Sequence, residues 1–150
     1  VHAAAIAIGS NLGDPVENVR KAIAALSQAG TLTAVSRLYR SDAWGEENQP
    51  QFINAVALIN TVLEPRELLK ALQEIEREMG RTPSYKWGPR IIDLDIVYYD
   101  DVRIDEPDLK IPHPHFYERS FVLVPLAEVD PRFAEPAAAV EKSGLTVMLP

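Results

Sequence analysis

The chain has 150 residues, and 15 Lys and Arg against 22 Asp and Glu leave a net charge of −7 with neutral histidines. With 47% hydrophobic and 25% charged residues it is globular in make-up, and a chain this long hides roughly 70% of its unfolded surface, enough for one core without staples. Zero cysteines exclude a disulfide framework and thiolate metal sites, no apolar run nears the ~18 residues of a membrane span, and the acidity argues against general nucleic-acid or anionic-membrane binding.

Residues 3–9, "AAAIAIG", read as a buried strand. The opening "VHAAAIAIGS" has no basic region before its apolar run, so no signal peptide is expected there. After the turn "GSNLGD", Asp14 stands at an N-cap position, Pro15 at N1 and Glu17 three residues beyond the cap. Val16, Val19, Ile23 and Leu26 recur at helical spacing, and Gly30 ends that helix. Residues 32–40 read as a second strand, 41–51 as a polar loop and 52–61, "FINAVALINT", as a third strand. Pro65 opens a second helix with Leu68, Leu69, Leu72, Ile75 and Met79 as its apolar stripe, and Gly80 closes it.

Residues 81–90, "RTPSYKWGPR", cannot be regular with Pro83, Gly88 and Pro89 inside. Residues 91–99, "IIDLDIVYY", read as a fourth strand. The order β-α-β-β-α-β predicts an α+β, ferredoxin-like core, a mainly antiparallel sheet with helices packed on it. A hairpin piece near 102–104, a Pro/His turn at 112–115 and a helix over 116–128 are C-terminal additions. Residues 131–144 read as a loose end, and one domain is expected over 1–150.

Asp93 and Asp95 are the sharpest chemical feature. Alternate residues of a strand face the same way, about 6.5 Å apart along it. Two carboxylates held side by side repel, and a divalent cation or basic neighbours relieve them. Hard oxygen ligands suit magnesium, which takes one or two carboxylates plus substrate phosphates. The preceding segment holds Arg81, Lys86 and Arg90 with no acid, and Trp87 offers a ring for a planar group. A cationic segment beside paired carboxylates matches the needs of phosphoryl transfer. The plainer alternative is a solvated edge strand, with the arginines paired to Glu74, Glu76 and Glu78.

Weaker features accompany these. "GSNLGD" lies between strand and helix, as phosphate cradles do, but lacks the lysine and spacing of a P-loop. Phe52 and Asn54 share one strand face and would suit a flat heterocycle, one by stacking and one by bonding its edge, although a half-buried strand with one polar residue is the stronger reading from the residues alone. Gln73 and Glu76 lie off the apolar stripe, on a face that reads equally as solvated or as a ligand contact. His113 and His115 sit between prolines in "IPHPHFYERSF", close to Arg119. No third soft ligand is nearby, which argues against zinc.

The blocks "AIGSNLGD", "YRSDAWG", "QPQFINAVALINT", "LLKALQEIEREMGR", "WGPRIIDLDI" and "IPHPHFYERSFVLVPLAEVDP" resemble the 6-hydroxymethyl-7,8-dihydropterin pyrophosphokinase family of folate biosynthesis, over most of residues 5–131. The resemblance implies transfer of pyrophosphate from ATP to the pterin hydroxymethyl group, with two Mg²⁺ ions. It implies metal aspartates at Asp93 and Asp95 and catalytic-loop arginines at Arg81 and Arg90. Nucleotide contacts are implied at Gln73, Glu76, Trp87, Arg90, His113 and Arg119, and through the backbone of Ile96. It implies a pterin sandwich of Phe52 and Phe121, edge contacts from Asn54 and Ser41, and an apolar cover at Trp44. Phe52 stands where some members have tyrosine, and Asp108 where some have a basic residue. The expected partners are these two small molecules, with no nucleic acid and no membrane, for a cytoplasmic monomer. The rival readings are a metal-dependent phosphohydrolase, a non-catalytic nucleotide or pterin sensor, and an RNA-binding module, which the acidity disfavours.

Overall fold

The structure is a computed structural model that describes residues 1–42, 50–81 and 90–148. The elements run β1 (His2–Ser10), α1 (Pro15–Ala25), β2 (Thr31–Val35), β3 (Tyr39–Ser41), β4 (Phe52–Thr61), α2 (Pro65–Glu78) and β5 (Asp93–Tyr99). Then follow β6 (Ile104–Glu106), β7 (Leu109–Ile111), α3 (Ser120–Val129), α4 (Ala134–Ala139) and β8 (Thr146–Val147). The main sheet is ordered β5-β1-β4-β3-β8, with β2 also paired to β4, and every pairing is antiparallel. Because β4 lies between β1 and β2, the unit β1-α1-β2 is a split βαβ, and the expected ferredoxin-like core is present.

Strand alternation divides the core. One face of the sheet carries Ile6, Ile8, Ile59 and Leu94, packed against Val19 of α1 and Leu68, Leu72 and Ile75 of α2. The other carries Ala5, Val56 and Val97, packed under Val122, Leu123 and Leu126 of α3. Asp14 caps α1 by accepting from the Glu17 amide at 3.3 Å. Gly30 lies where the chain turns into β2 against β4. A Cβ there would come within 2.4 Å of the Asn60 carbonyl oxygen, so close approach demands the glycine.

Three segments depart from the sequence reading. The strand expected over 32–40 is two pieces, because Ser36 breaks the ladder: its hydroxyl accepts from the Val56 amide at 3.0 Å and donates to the Arg37 carbonyl at 2.7 Å. The helix expected over 116–128 is interrupted at Arg119, whose extended backbone separates a 3-10 turn at Phe116–Glu118 from α3.

The third is the segment 131–144, which is not loose. A 3-10 turn at Pro131–Phe133 leads into α4, and β8 then adds to β3. Buried Asp130 anchors this end: it accepts from the Tyr98 hydroxyl at 2.7 Å and from Arg132 Nη2 at 2.7 Å. Phe133 packs 6.0 Å from the Tyr98 ring and 5.8 Å from that of Phe116. The hairpin expected near 102–104 is β6–β7, slightly later in the chain.

Candidate active site

On its α3-facing side, β1 presents only Ala3, Ala5, Ala7 and Gly9. Its neighbours carry the chemistry. Gly9 pairs with Asn54 of β4 on one side and Asp93 of β5 on the other, and Ala7 pairs with Val56 and Asp95. Small side chains in the middle strand therefore leave a trough, about two strand spacings or ~10 Å wide, between a carboxamide and two carboxylates. A Cβ on Gly9 would stand 3.4 Å from Asn54 Oδ1 and 3.6 Å from Phe52 Cδ1, so the glycine keeps the floor open. A cavity of about 280 Å³ fills this trough.

The cavity brings together nine of the residues that the sequence singles out. Ser41, Phe52 and Asn54 line one end, with Asn54 Nδ2 donating to Ser41 Oγ at 2.7 Å in a buried bond. Arg90, Asp93 and Asp95 line the other end. His113, Arg119 and Phe121, from the segment that leads into α3, also line it. The Arg119 guanidinium lies 5.9 Å from the centre of the Phe121 ring.

The electrostatics are those of two carboxyl groups whose ionisation burial opposes. Burial pushes the Asp93 carboxyl above its ordinary value, and the adjacent Asp95 charge adds to that. Burial also raises Asp95, with the Glu76 charge behind it. Arg81, Arg90 and Arg119 oppose both shifts. His113 is pushed down to about 4, first by burial and then by the charges of Arg119 and His115. Its ring is thus neutral at physiological pH. Its Nδ1 accepts from the His115 amide at 3.4 Å, which leaves the proton on Nε2.

Other predicted residues fall outside the cavity wall. Glu76 does not lie on a solvated helix face. It is buried behind β5, where Oε2 accepts from the Leu94 amide at 2.8 Å and from Arg81 Nη1 at 2.5 Å. Arg81 Nη1 also lies 3.0 Å from Asp93 Oδ1. Gln73 is exposed on α2. The Ile96 side chain is in the core on the opposite face, which leaves only its backbone for a ligand. Trp44, Trp87 and Lys86 lie outside the described residues. Asp108 is engaged by Arg66 through two bonds of 3.1 Å, and Lys110 by Asp105 at 2.6 Å, so these two charges are matched locally.

The sequence reading missed Gly9, Asn11 and Asp42. Gly9 was accessible through the small-residue alternation of β1. Asp42 lines the cavity and accepts from Gln51 Nε2 at 2.9 Å. In the turn "GSNLGD" the backbone amide of Asn11 is already engaged. It donates to the Arg90 carbonyl at 3.0 Å, and the Asn11 carboxamide bonds residues 50 and 90.

Among the described residues no group of three or more His, Cys, Asp and Glu is placed to hold a metal ion. Two carboxylates side by side in a cavity walled by arginines are nonetheless a donor set that suits magnesium, whose other ligands are commonly water and substrate phosphate oxygens.

The sequence model of the 7,8-dihydro-6-hydroxymethylpterin-pyrophosphokinase (HPPK) family matches residues 5–131. The chain belongs to this family. The HPPK relatives include 2-amino-4-hydroxy-6-hydroxymethyldihydropteridine pyrophosphokinase of Bacillus subtilis, 46% identical over 138 residues, which are 91% of this chain and 83% of that one. The enzyme of the same name from Pseudomonas aeruginosa is 46% identical over 133 residues, 87% of this chain and 82% of the relative.

A solved HPPK-DHPS structure in complex with substrates superposes with a TM-score of 0.70 at 13% identity, over 92% of this chain and 43% of that chain. The chain thus spans less than half of that fused protein, and at this identity the match speaks for the fold. As an HPPK-family member the chain is a transferase of the pyrophosphokinase type. No helix among the described residues is long and apolar enough to cross a membrane.

Proposed function

We propose that residues 1–150 act as one pyrophosphokinase domain that moves the β,γ-pyrophosphate of ATP onto the hydroxymethyl group of 6-hydroxymethyl-7,8-dihydropterin, releasing AMP, in folate biosynthesis. The observation that carries this reading is the joining, in one cavity, of a carboxylate–arginine end and an aromatic–carboxamide end. The first suits a polyphosphate and the second a flat, edge-bonding heterocycle.

At the heterocycle end, Phe52 and Phe121 stack on the pterin. Asn54 and Ser41 bond its edge, with their mutual hydrogen bond setting the direction of the carboxamide. Trp44 covers the ring. At the polyphosphate end, Asp93 and Asp95 would hold two magnesium ions. Bound there, magnesium neutralises phosphate charge and lowers the pKa of the pterin hydroxyl.

Arg90 and Arg119 face the triphosphate from the cavity wall, and Arg81 reaches it from its place beside Asp93. His113, neutral with its proton on Nε2, donates to a phosphate oxygen. Gln73, Trp87 and the Ile96 backbone contact the nucleotide. Glu76 acts through Arg81 and the Leu94 amide. In the transfer, the hydroxymethyl oxygen attacks the β-phosphorus, and the bond from that phosphorus to the α,β-bridging oxygen breaks. AMP leaves with that oxygen and the hydroxyl proton passes to solvent. The arginines stabilise the charge that develops on the bridging oxygen. No side chain of the described residues is placed as a dedicated general base, which suits an alcohol activated by a cation.

The protein works in this reading as a cytoplasmic monomer. Incubation with ATP, Mg²⁺ and the pterin, followed by chromatography of the nucleotides, tests it. AMP should form only when the pterin is present, in a one-to-one ratio with pterin diphosphate. ADP and inorganic phosphate formed without pterin would assign the site to a phosphohydrolase instead.

A further inference from the structure

The sheet does not hold every part of the cavity. β4 begins at Phe52 and β5 at Asp93, so Pro50 and Arg90 lie beyond the ladder at opposite ends of the site. One buried side chain spans both. Asn11, 1% exposed, follows directly on β1. Its Oδ1 accepts from the Arg90 amide at 2.8 Å, and its own amide donates to the Arg90 carbonyl at 3.0 Å. Its Nδ2 donates to the Pro50 carbonyl at 3.1 Å. The exchange with Arg90 reproduces the two-bond pairing of an antiparallel ladder, one residue past its end. The third bond ties in the backbone two residues before Phe52.

We infer that Asn11 is a positioning residue for the transfer, one that sets the spacing between the arginine end and the ring end of the cavity. The inference rests on the proposed reaction. It adds a division of labour: each substrate is held by residues of its own end, while their mutual alignment runs through the Asn11 carboxamide. Misalignment of reacting groups by about 1 Å is enough to cost ~100-fold in rate. Loss of this link should therefore act on turnover more than on either binding step.

The choice of variants separates the two side-chain bonds. Asn11→Asp keeps an acceptor for the Arg90 amide and loses the donor to Pro50. Asn11→Ala loses both. In Asn11→Ala, kcat should fall at least ~10-fold, on the scale of misplaced reacting groups. The dissociation constants of pterin and of a non-hydrolysable ATP analogue, each measured alone by calorimetry, should stay within about threefold, since neither ligand's own contacts are removed. Hydrogen exchange should show the Arg90 amide losing protection in Asn11→Ala and keeping it in Asn11→Asp.

This exchange readout needs no catalysis. It stays informative if the wild-type protein proves to lack pterin-dependent AMP formation, the result that would sink the proposed reaction. Unchanged kcat in Asn11→Ala would overturn the inference. So would a fall in both individual affinities that matches the fall in kcat, or equal Arg90 protection in all three proteins. Should Asn11→Ala fail to fold, Asn11→Asp carries the same kcat-against-affinity test through its lost bond to Pro50.

Discussion

Asp95→Asn should make the protein more stable and much less active, and the pairing of the two effects is what tests the site. The substitution keeps shape and removes one charge. Alternate strand positions place the two carboxylates about 6.5 Å apart, and at an effective dielectric near 20 their repulsion is about 2.5 kcal/mol. Arg81, Arg90 and Arg119 offset part of this, yet the carboxyls remain pushed up by burial and by their acidic neighbours.

For an acid whose folded pKa lies above its unfolded value, the native state binds the extra proton. The cost of ionisation is then fully present above the folded pKa. It fades as pH falls towards the ordinary value of 3.8. At neutral pH the amide should thus gain ~1–2 kcal/mol, a rise of roughly 3–6 °C in Tm for a chain of this length. The gain should vanish near pH 3.8. Turnover should fall at least ~100-fold, the scale of losing a group that stabilises transition-state charge. Mg²⁺ with an ATP analogue should raise Tm in the wild type and much less in the variant. Differential scanning calorimetry across pH and a nucleotide-product assay measure these quantities. A lower Tm at neutral pH, or activity within tenfold of wild type, would refute the charge-pair reasoning.

Asn54→Ala removes the partner of Ser41 and of the heterocycle edge, so pterin affinity should weaken by ~1–3 kcal/mol in calorimetry; unchanged affinity would contradict the pocket. Gly9→Ala adds a methyl in ordinary contact with Asn54 Oδ1 at 3.4 Å and Phe52 Cδ1 at 3.6 Å. It should leave Tm nearly unchanged and raise the pterin KM at least ~10-fold, because the methyl crowds the cavity floor; an unaltered KM would show the floor is not used. His113 should titrate near 4 by NMR, its neutral ring favouring the fold above 6.5 and that contribution fading as pH falls towards 4. An ATP analogue should move its midpoint upward by a pH unit or more, as phosphate charge favours the imidazolium; no movement would take His113 off the nucleotide.

Part of the site was legible in local period, and part only in the family resemblance, which alone supplied Ser41 and Phe121. Asp93 with Asp95, and Phe52 with Asn54, follow from alternation along a single strand, and the antiparallel sheet then set the two pairs on either side of Gly9. Contacts across long stretches of chain left no such trace. Asn11 reaches residues 39 and 79 positions away, and nothing in "GSNLGD" marks it over an ordinary turn asparagine. Glu76, off the leucine stripe of α2, read equally as solvated or as a ligand contact, and burial behind β5 was neither. It is buried because its partners, the Leu94 amide and Arg81, come from beyond the helix. The segment after residue 130 looked loose for the same reason. Its order comes from Asp130 and Phe133, which dock on Tyr98 of β5, thirty-odd residues earlier.

The placing of Arg81 ties these long-range contacts to the chemistry. Its guanidinium is held between Glu76 and Asp93, at 2.5 and 3.0 Å from the same nitrogen. It therefore neutralises one of the two carboxylates that the proposed reaction assigns to magnesium. In the proposed reaction a cation at Asp93 would compete with Arg81 and would release it from one of its two anchors. Glu76 is buried and also bonded to the backbone of β5, so it keeps the arginine beside the cavity when Asp93 is otherwise engaged. The freed charge would then lie next to a bound triphosphate, where the proposed transfer needs it. On this account the resting ion pair is an exchange partner for the nucleotide complex. Glu76, remote from the cavity wall, would then serve the proposed transfer through the arginine that it retains.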